Sequence, residues 1–373
     1  MPYRRFWLKR FLKKYNNIKM NLKNKTLEDW LKNPSKKYFL NGKKVDYYSD
    51  YITLKNRLID KHNQVVAGAG LINPELKLND HGPKHIETVI ERASELVTNM
   101  RCELSAKEVY FLLVAIQIHD LGNMFGRYKH EENAMRVLGD LFILIGFDTT
   151  EKIMIEKIAK AHGGRTKKTN NKDRIQELEE DNFDYKIGQI RSRVLASILR
   201  FADELADDKW RCDKDLLINT LLPKGSEVFH AYAFCLEPPK IKHNIKQIEL
   251  EFKIPQDFVN KKFGKYNDTT KQPDSVYLVD EIYERVMKMH FERIYTMRYM
   301  RDYINLDNIL VRVNFYDSKG DNVEYAAISF NLMESGYPTS DQNIFELCPS
   351  LIRNGQNIDG EYIRNGGMKI QKL

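Results

Sequence analysis

Six side chains of this 373-residue chain could do metal chemistry: His85, the adjacent pair His119–Asp120, His130, His162 and Asp203. The chain has nine histidines, and five of them fall between residues 81 and 162. An imidazole and a carboxylate are costly to bury unless something pairs with both. Nitrogen and carboxylate donors together suit Mn, Fe, Co, Ni or Zn better than Mg or Ca, which prefer oxygen throughout. An aspartate has two oxygens and can bridge two ions. Six donors with one bridge are enough for two divalent ions roughly 3.5–4 Å apart, which can acidify a shared water and clamp both ends of an in-line phosphoryl displacement. The plainer reading of each residue alone is an ordinary helix-terminal histidine or a solvated acid.

The elements that must position these groups read as helices. Ser105 and Glu108 form a capping box. The helix behind it turns Val109, Leu112, Leu113 and Ile116 inward and ends on His119–Asp120 in "FLLVAIQIHDLGN". Pro83 suits the start of the preceding helix. His85 lies in its first turn, and Ile86, Val89, Ile90, Ala93, Leu96 and Val97 follow at helical spacing. A third helix over about 129–145 begins at His130, a fourth over 150–162 ends at His162, and a fifth over 186–206 carries Asp203. Side chains at helix ends can meet in one cleft without displacing core packing.

The segments "DHGPKHIETV", "HDLGN", "HEENA", "IEKIAKAHGG" and "RFADELADD" follow one another in that order. The series resembles the HD-domain metal-dependent phosphohydrolases over residues 76–210. The resemblance implies a helical bundle with one ion held by His85, His119, Asp120 and Asp203. It implies a second ion held by Asp120, His130 and His162, the dinuclear type, with Asp120 as the catalytic bridge. Two departures are the short gap between Asp120 and His130 and the lack, within residues 76–210, of a GYP-type signature of cyclic-di-GMP phosphodiesterases. Around the ligands, Arg165 and Arg127 are candidates to meet phosphate oxygens, as are Lys167 and Lys168. Glu204 would orient a ligand imidazole or close a salt bridge. The plainer reading of the basic residues is a solvated lid. His81 shares the face of His85 or is a turn residue before Pro83, and His62, His230, His243 and His290 read as structural or surface residues.

The leading expectation is a phosphohydrolase or phosphodiesterase acting on a nucleotide or signalling nucleotide. Alternatives are an HD-type nuclease on single-stranded nucleic acid, a di-iron oxygenase and a non-catalytic nucleotide sensor. Apolar residues make up 42% and charged residues 30%, as in a soluble globular protein, and there is no apolar run of eighteen residues to cross a membrane. Four scattered cysteines fit a reducing cytoplasm. The net charge of +8 is concentrated at the start: residues 1–25 carry nine Lys or Arg and no acid. As a helix that start would touch nucleic acid, an anionic membrane or an acidic partner, or dock its apolar side on its own domain.

The expected fold is mainly α. Residues 1–75 form a basic helical extension with a Gly-rich turn at 67–70. Residues 76–210 form the bundle, with a charged insert at 164–185 that reads as exposed or as a lid. Residues 211–373 form an α+β region with a strand at 246–255, a long helix at 277–300 and a β-hairpin over 309–333. That last region would roof the site or contact a second copy or a partner protein.

Overall fold

The computed structural model describes residues 20, 22, 25–33, 38–40, 43–72, 82–126, 129–138, 148–166, 170–179, 182–184, 188–317, 325–334 and 343–369. It is mainly helical, with an α+β C-terminal region. The helices that matter here are α1 (Leu27–Lys32), α2 (Tyr47–Ile72), α3 (Pro83–Val97), α4 (Ala106–Ile118), α5 (His130–Leu138), α6 (Thr149–Lys160), α7 (Ser192–Leu205), α8 (Glu227–Cys235) and α9 (Leu278–Met300), and the paired strands β1 (Tyr38–Leu40) and β2 (Lys43–Val45) lie between α1 and α2.

Helix α4 is the hub. Every residue from Lys107 to Ile118 is buried, so the helix is surrounded by protein rather than lying on a surface. The expected capping box is present: the Glu108 amide donates to Ser105 Oγ and the Ser105 amide to Glu108 Oε2 at 2.8 Å. The same carboxylate fastens α7. Arg191, one residue before that helix, donates Nε to Glu108 Oε1 at 2.7 Å and Nη2 to Oε2 at 2.8 Å, and its amide also donates to Oε1. One buried glutamate therefore fixes the starts of the two helices that carry His119–Asp120 and Asp203.

That clamp explains a boundary that helical spacing misplaces. Helix α7 starts at Ser192 rather than at 186, and residues 188–190 form a strand (β4) paired with β3 (Asn182–Asp184). The Gly-rich turn expected at 67–70 is also corrected: those residues lie inside α2. Glycine costs about 1 kcal/mol per residue in a helix relative to alanine, and α2 buries Tyr51, Leu54, Leu58 and Val65 in compensation. The charged insert is fastened where it is described. Ile175 and Leu178 are buried, the Ile175 amide donates to the Tyr295 hydroxyl at 2.9 Å, and Arg174 pairs with Glu132. Of the basic start, residues 1–19 lie outside the described residues.

The C-terminal region is built on a four-stranded sheet in the order β10 (Ile328–Met333), β9 (Asn308–Tyr316), β6 (Gln247–Pro255), β5 (Lys240–Lys242). Strands β6 and β9 are parallel, which requires a crossover. It consists of the antiparallel pair β7 (Lys262–Asn267) and β8 (Gln272–Tyr277), followed by α9. The hairpin partners β9 and β10 pair as expected, with Val313 opposite Ile328 and Ile309 opposite Leu332. Their apolar residues form one buried face, because directly opposed residues point the same way. Ile248, Leu250, Phe252 and Ile254 continue that buried face on β6. A one-residue slip would turn all of these side chains to the other side. The segment "SKGDN" (318–322), read from the sequence as the turn of this hairpin, lies outside the described residues. Among the described residues no single helix is long and apolar enough to cross a membrane.

Candidate metal centre

Five helices deliver six side chains to one place. His85 comes from the first turn of α3, after an N-cap at Gly82 and Pro83 at the first helical position. His119 is the C-cap of α4, and Asp120 follows with φ −102° and ψ 0° before a short 3-10 turn over Leu121–Phe125. His130 opens α5, His162 follows the C-cap of α6, and Asp203 lies in the last turn of α7.

The donor atoms fall into two sets that share Asp120. Asp120 Oδ2 stands 3.5 Å from both His85 Nε2 and His119 Nε2, and Asp203 Oδ1 stands 3.1 Å and 3.6 Å from the same two nitrogens. Asp120 Oδ1 faces the other way, 3.3 Å from His130 Nε2 and 3.7 Å from His162 Nε2, which are 3.2 Å from each other. Donors about 2.1 Å from a common ion are about 3.0–3.4 Å apart at right-angle or tetrahedral spacing. The observed separations lie within that range or up to about 0.3 Å above it, and most exceed a good N–H···O bond.

The chemistry of the donors also fits an ion. His119 Nδ1–H donates to the Ile116 carbonyl at 2.8 Å and His162 Nδ1–H to the Ala159 carbonyl at 2.6 Å. A carbonyl can only accept, so these bonds fix the tautomer and turn each Nε2 lone pair toward Asp120. His119 Nε2 is buried and makes no hydrogen bond. Asn123 steadies Asp120 by donating Nδ2–H to its Oδ1 at 2.9 Å. Electrostatics strain the cluster. Burial opposes a charge on His119, yet Asp120 and Asp203 overcome it and lift the imidazole to about 9. Burial, with His119 and His130 nearby, drives His162 down to about 3. Burial would raise Asp203, but the imidazoles of His119 and His85 beside it hold it well below the usual carboxylate range.

Two glycines allow the close packing. A Cβ on Gly122 would stand 1.8 Å from the His130 carbonyl oxygen. Gly164 has φ +73°, and a Cβ there would meet Glu131 Oε1 at 2.0 Å. Gly122→Ala is therefore expected to push α5 away and lose the Asp120–His130–His162 set. Metal analysis should show one ion fewer per chain, with about 1–3 kcal/mol of stability lost as in other overpacked sites. Unchanged metal content and unchanged urea midpoint would contradict this.

The cluster opens into a cavity of about 550 Å³. Asp120, His130, His162 and Asp203 lie at its floor, and α9 forms much of its wall through Glu281, Glu284, Arg285, Lys288, Met289 and Glu292. The C-terminal region therefore covers the site. Among the described residues eight carboxylates and six cations line the cavity. An anionic substrate would meet a net acidic wall unless bound cations reversed its sign, which two divalent ions would do.

The remaining expected site residues divide. Glu204 lines the cavity, but its carboxylate accepts from Lys288 and so closes a salt bridge, the second of its two expected roles. Arg165 is not among the residues that line the cavity, and its Nη1 donates to the Asn170 carbonyl at 2.8 Å, closing its own loop. Arg127, Lys167, Lys168 and His81 lie outside the described residues. Arg200 was not anticipated. Buried one turn before Asp203, it grips Glu292 through Nε at 2.6 Å and Nη2 at 2.9 Å, and its Nη1 donates to the Lys172 carbonyl. The i,i+3 spacing to Asp203 was a usable signal, whereas its partner 92 residues later was not. His62 is buried, bonded to the Gln117 carbonyl at 2.7 Å, and close enough to feel the charges of His119 and Asp120.

The sequence profile of the HD-CE family matches residues 74–277, more than half of the chain. The chain belongs to the HD-CE family. No curated protein matches it. The HD-CE match contains all six donors and continues past residue 210 to the end of β8. It thus includes Lys265, Tyr266 and Asp268, which line the cavity, and stops where α9 begins. An HD-type domain with a His/Asp cluster able to hold metal fits a metal-dependent hydrolase in general terms.

Proposed function

We propose that this protein is a dinuclear metal-dependent phosphohydrolase that opens a phosphoester of a nucleotide or signalling nucleotide. The observation that carries the reading is Asp120, whose two carboxylate oxygens face two different sets of donors. His85, His119, Asp120 and Asp203 would hold one divalent ion, and Asp120, His130 and His162 the other. The ions, drawn from Mn, Fe, Co, Ni and Zn, would acidify a water and neutralise charge developing on phosphate oxygens. The protein's own contribution is placement. Asp120 sets the spacing of the two sets, and the Ile116 and Ala159 carbonyls hold His119 and His162 with their lone pairs inward. Lys172 and Lys288 stand in the wall where phosphate oxygens would lie. The cavity volume falls within the range of about 300–1,000 Å³ usual for small-molecule sites, which favours a nucleotide over a polymer. The four free cysteines support a reducing, cytoplasmic setting.

The test is hydrolysis of a nucleotide panel and of single-stranded DNA with Mn added, against His119→Ala and Asp120→Ala controls. Cleavage of nucleotides that both controls abolish supports the proposal. Cleavage of DNA alone would favour the nuclease, and oxygen consumption by an iron-loaded protein the oxygenase. Nucleotide binding without turnover would favour the sensor.

A further inference from the structure

Beside the cavity of the metal centre lies a second one of about 750 Å³. The two share a wall, since Lys172, Arg200, Glu284, Lys288 and Glu292 line both. On the far side of that wall the chemistry changes. Met287 and Phe291 project from α9, with Tyr283, Tyr295 and Ile344 around them. Phe291 keeps 49% of its surface exposed. The charges of the shared wall are mostly spent on one another: Arg200 on Glu292, Lys288 on Glu204 and Glu284 on Lys265. Lys172 is exposed and forms no ion pair among the described residues, so its ammonium is the unneutralised cation on the boundary.

An anion-attracting wall with a metal cluster on one side and an exposed aromatic ring on the other calls for a ligand with two unlike ends. We infer that the second cavity is a base subsite: the nucleotide's phosphate enters the metal-centre cavity while its base lies against Phe291 and Met287, with Lys172 over the phosphate between them. This rests on the phosphohydrolase reading for the identity of the phosphate end. A flat ring suits the Phe291 face, because every nucleobase offers a π-face and stacking tolerates its sequence. The shared wall is what makes the two cavities one site, since a single ligand can span it.

The test is calorimetric binding to the Mn-loaded full chain of three probes: the hydrolysis-resistant 5′-phosphonate analogue of adenosine monophosphate, the same analogue without its base, and adenosine. Phe291→Glu, at a half-exposed position, should weaken the nucleotide analogue by about 5- to 150-fold, the range for loss of one base–aromatic stack. The base-less analogue should keep its affinity, Phe291→Tyr should restore nucleotide binding, and Lys172→Ala should weaken both phosphonates. The inference is overturned if Phe291→Glu weakens neither phosphonate or both alike, or if none of the probes binds. It is equally overturned if adenosine binds as tightly as its phosphonate, since the second cavity would then be an independent nucleoside site. Hydrolysis is not the readout. Phe291-dependent nucleotide binding with no turnover in the substrate panel would sink the hydrolase reading and leave the base subsite standing.

Discussion

Asp120→Asn is expected to remove both ions at once. The amide keeps the shape of the side chain but loses its negative charge and one of its two acceptor oxygens, while the two donor sets meet only at this residue. Metal analysis should fall from two ions per chain to well below one. Phosphoester turnover should drop by at least about a thousandfold, about 4 kcal/mol of barrier. His162→Ala makes the informative contrast. It removes a donor from one set and leaves His85, His119, Asp120 and Asp203 intact, so one ion should remain. If both variants lose the same single ion, Asp120 is an ordinary ligand and not a bridge.

Glu108→Gln should be the most destabilising conservative change in the bundle. The carboxylate is almost fully buried, caps α4, and takes both arms of the Arg191 fork together with the Arg191 amide. Replacing it leaves a buried guanidinium without its counter-charge, a loss of about 3–5 kcal/mol for pairs of this kind. Urea denaturation should show a lower midpoint at unchanged slope. Glu334→Gln, which breaks the exposed pair with Arg301, is the control and should cost less than about 1 kcal/mol. Equal shifts for the two variants would mean that the clamp contributes nothing beyond a surface pair. Loss of Glu108 should also lower metal affinity, because the helices bearing His119–Asp120 and Asp203 would no longer be fixed at their starts.

The donor cluster was legible in the sequence because each donor sits beside a strong local signal. Pro83 precedes His85, a capping box opens the helix that ends on His119–Asp120, and glycines follow His162. The strand at 247–255 and the pair formed by β9 and β10 were legible through their alternation, which the burial pattern repeats. What the sequence hid is tertiary. The start of α7 is set by Glu108, 83 residues before Arg191. The polar composition of the insert concealed Ile175 and Leu178, which dock against the rest of the protein. The cavity wall was hidden for the same reason: Lys288 reaches Glu204 and Arg285 reaches Asp207 from a helix that local pattern marks only as long and amphipathic. Arg165 lies three residues after His162, but nothing in the sequence signalled the loop carbonyl that its guanidinium meets. Its guanidinium was already engaged by the loop that follows it.

The most direct test of the account is anomalous diffraction from crystals of the Mn-loaded protein. Two peaks are expected, one on each side of Asp120, with His85, His119 and Asp203 around the first and His130 and His162 around the second. One peak with His130 and His162 turned away from it, or peaks remote from Asp120, would contradict a bridged pair of ions.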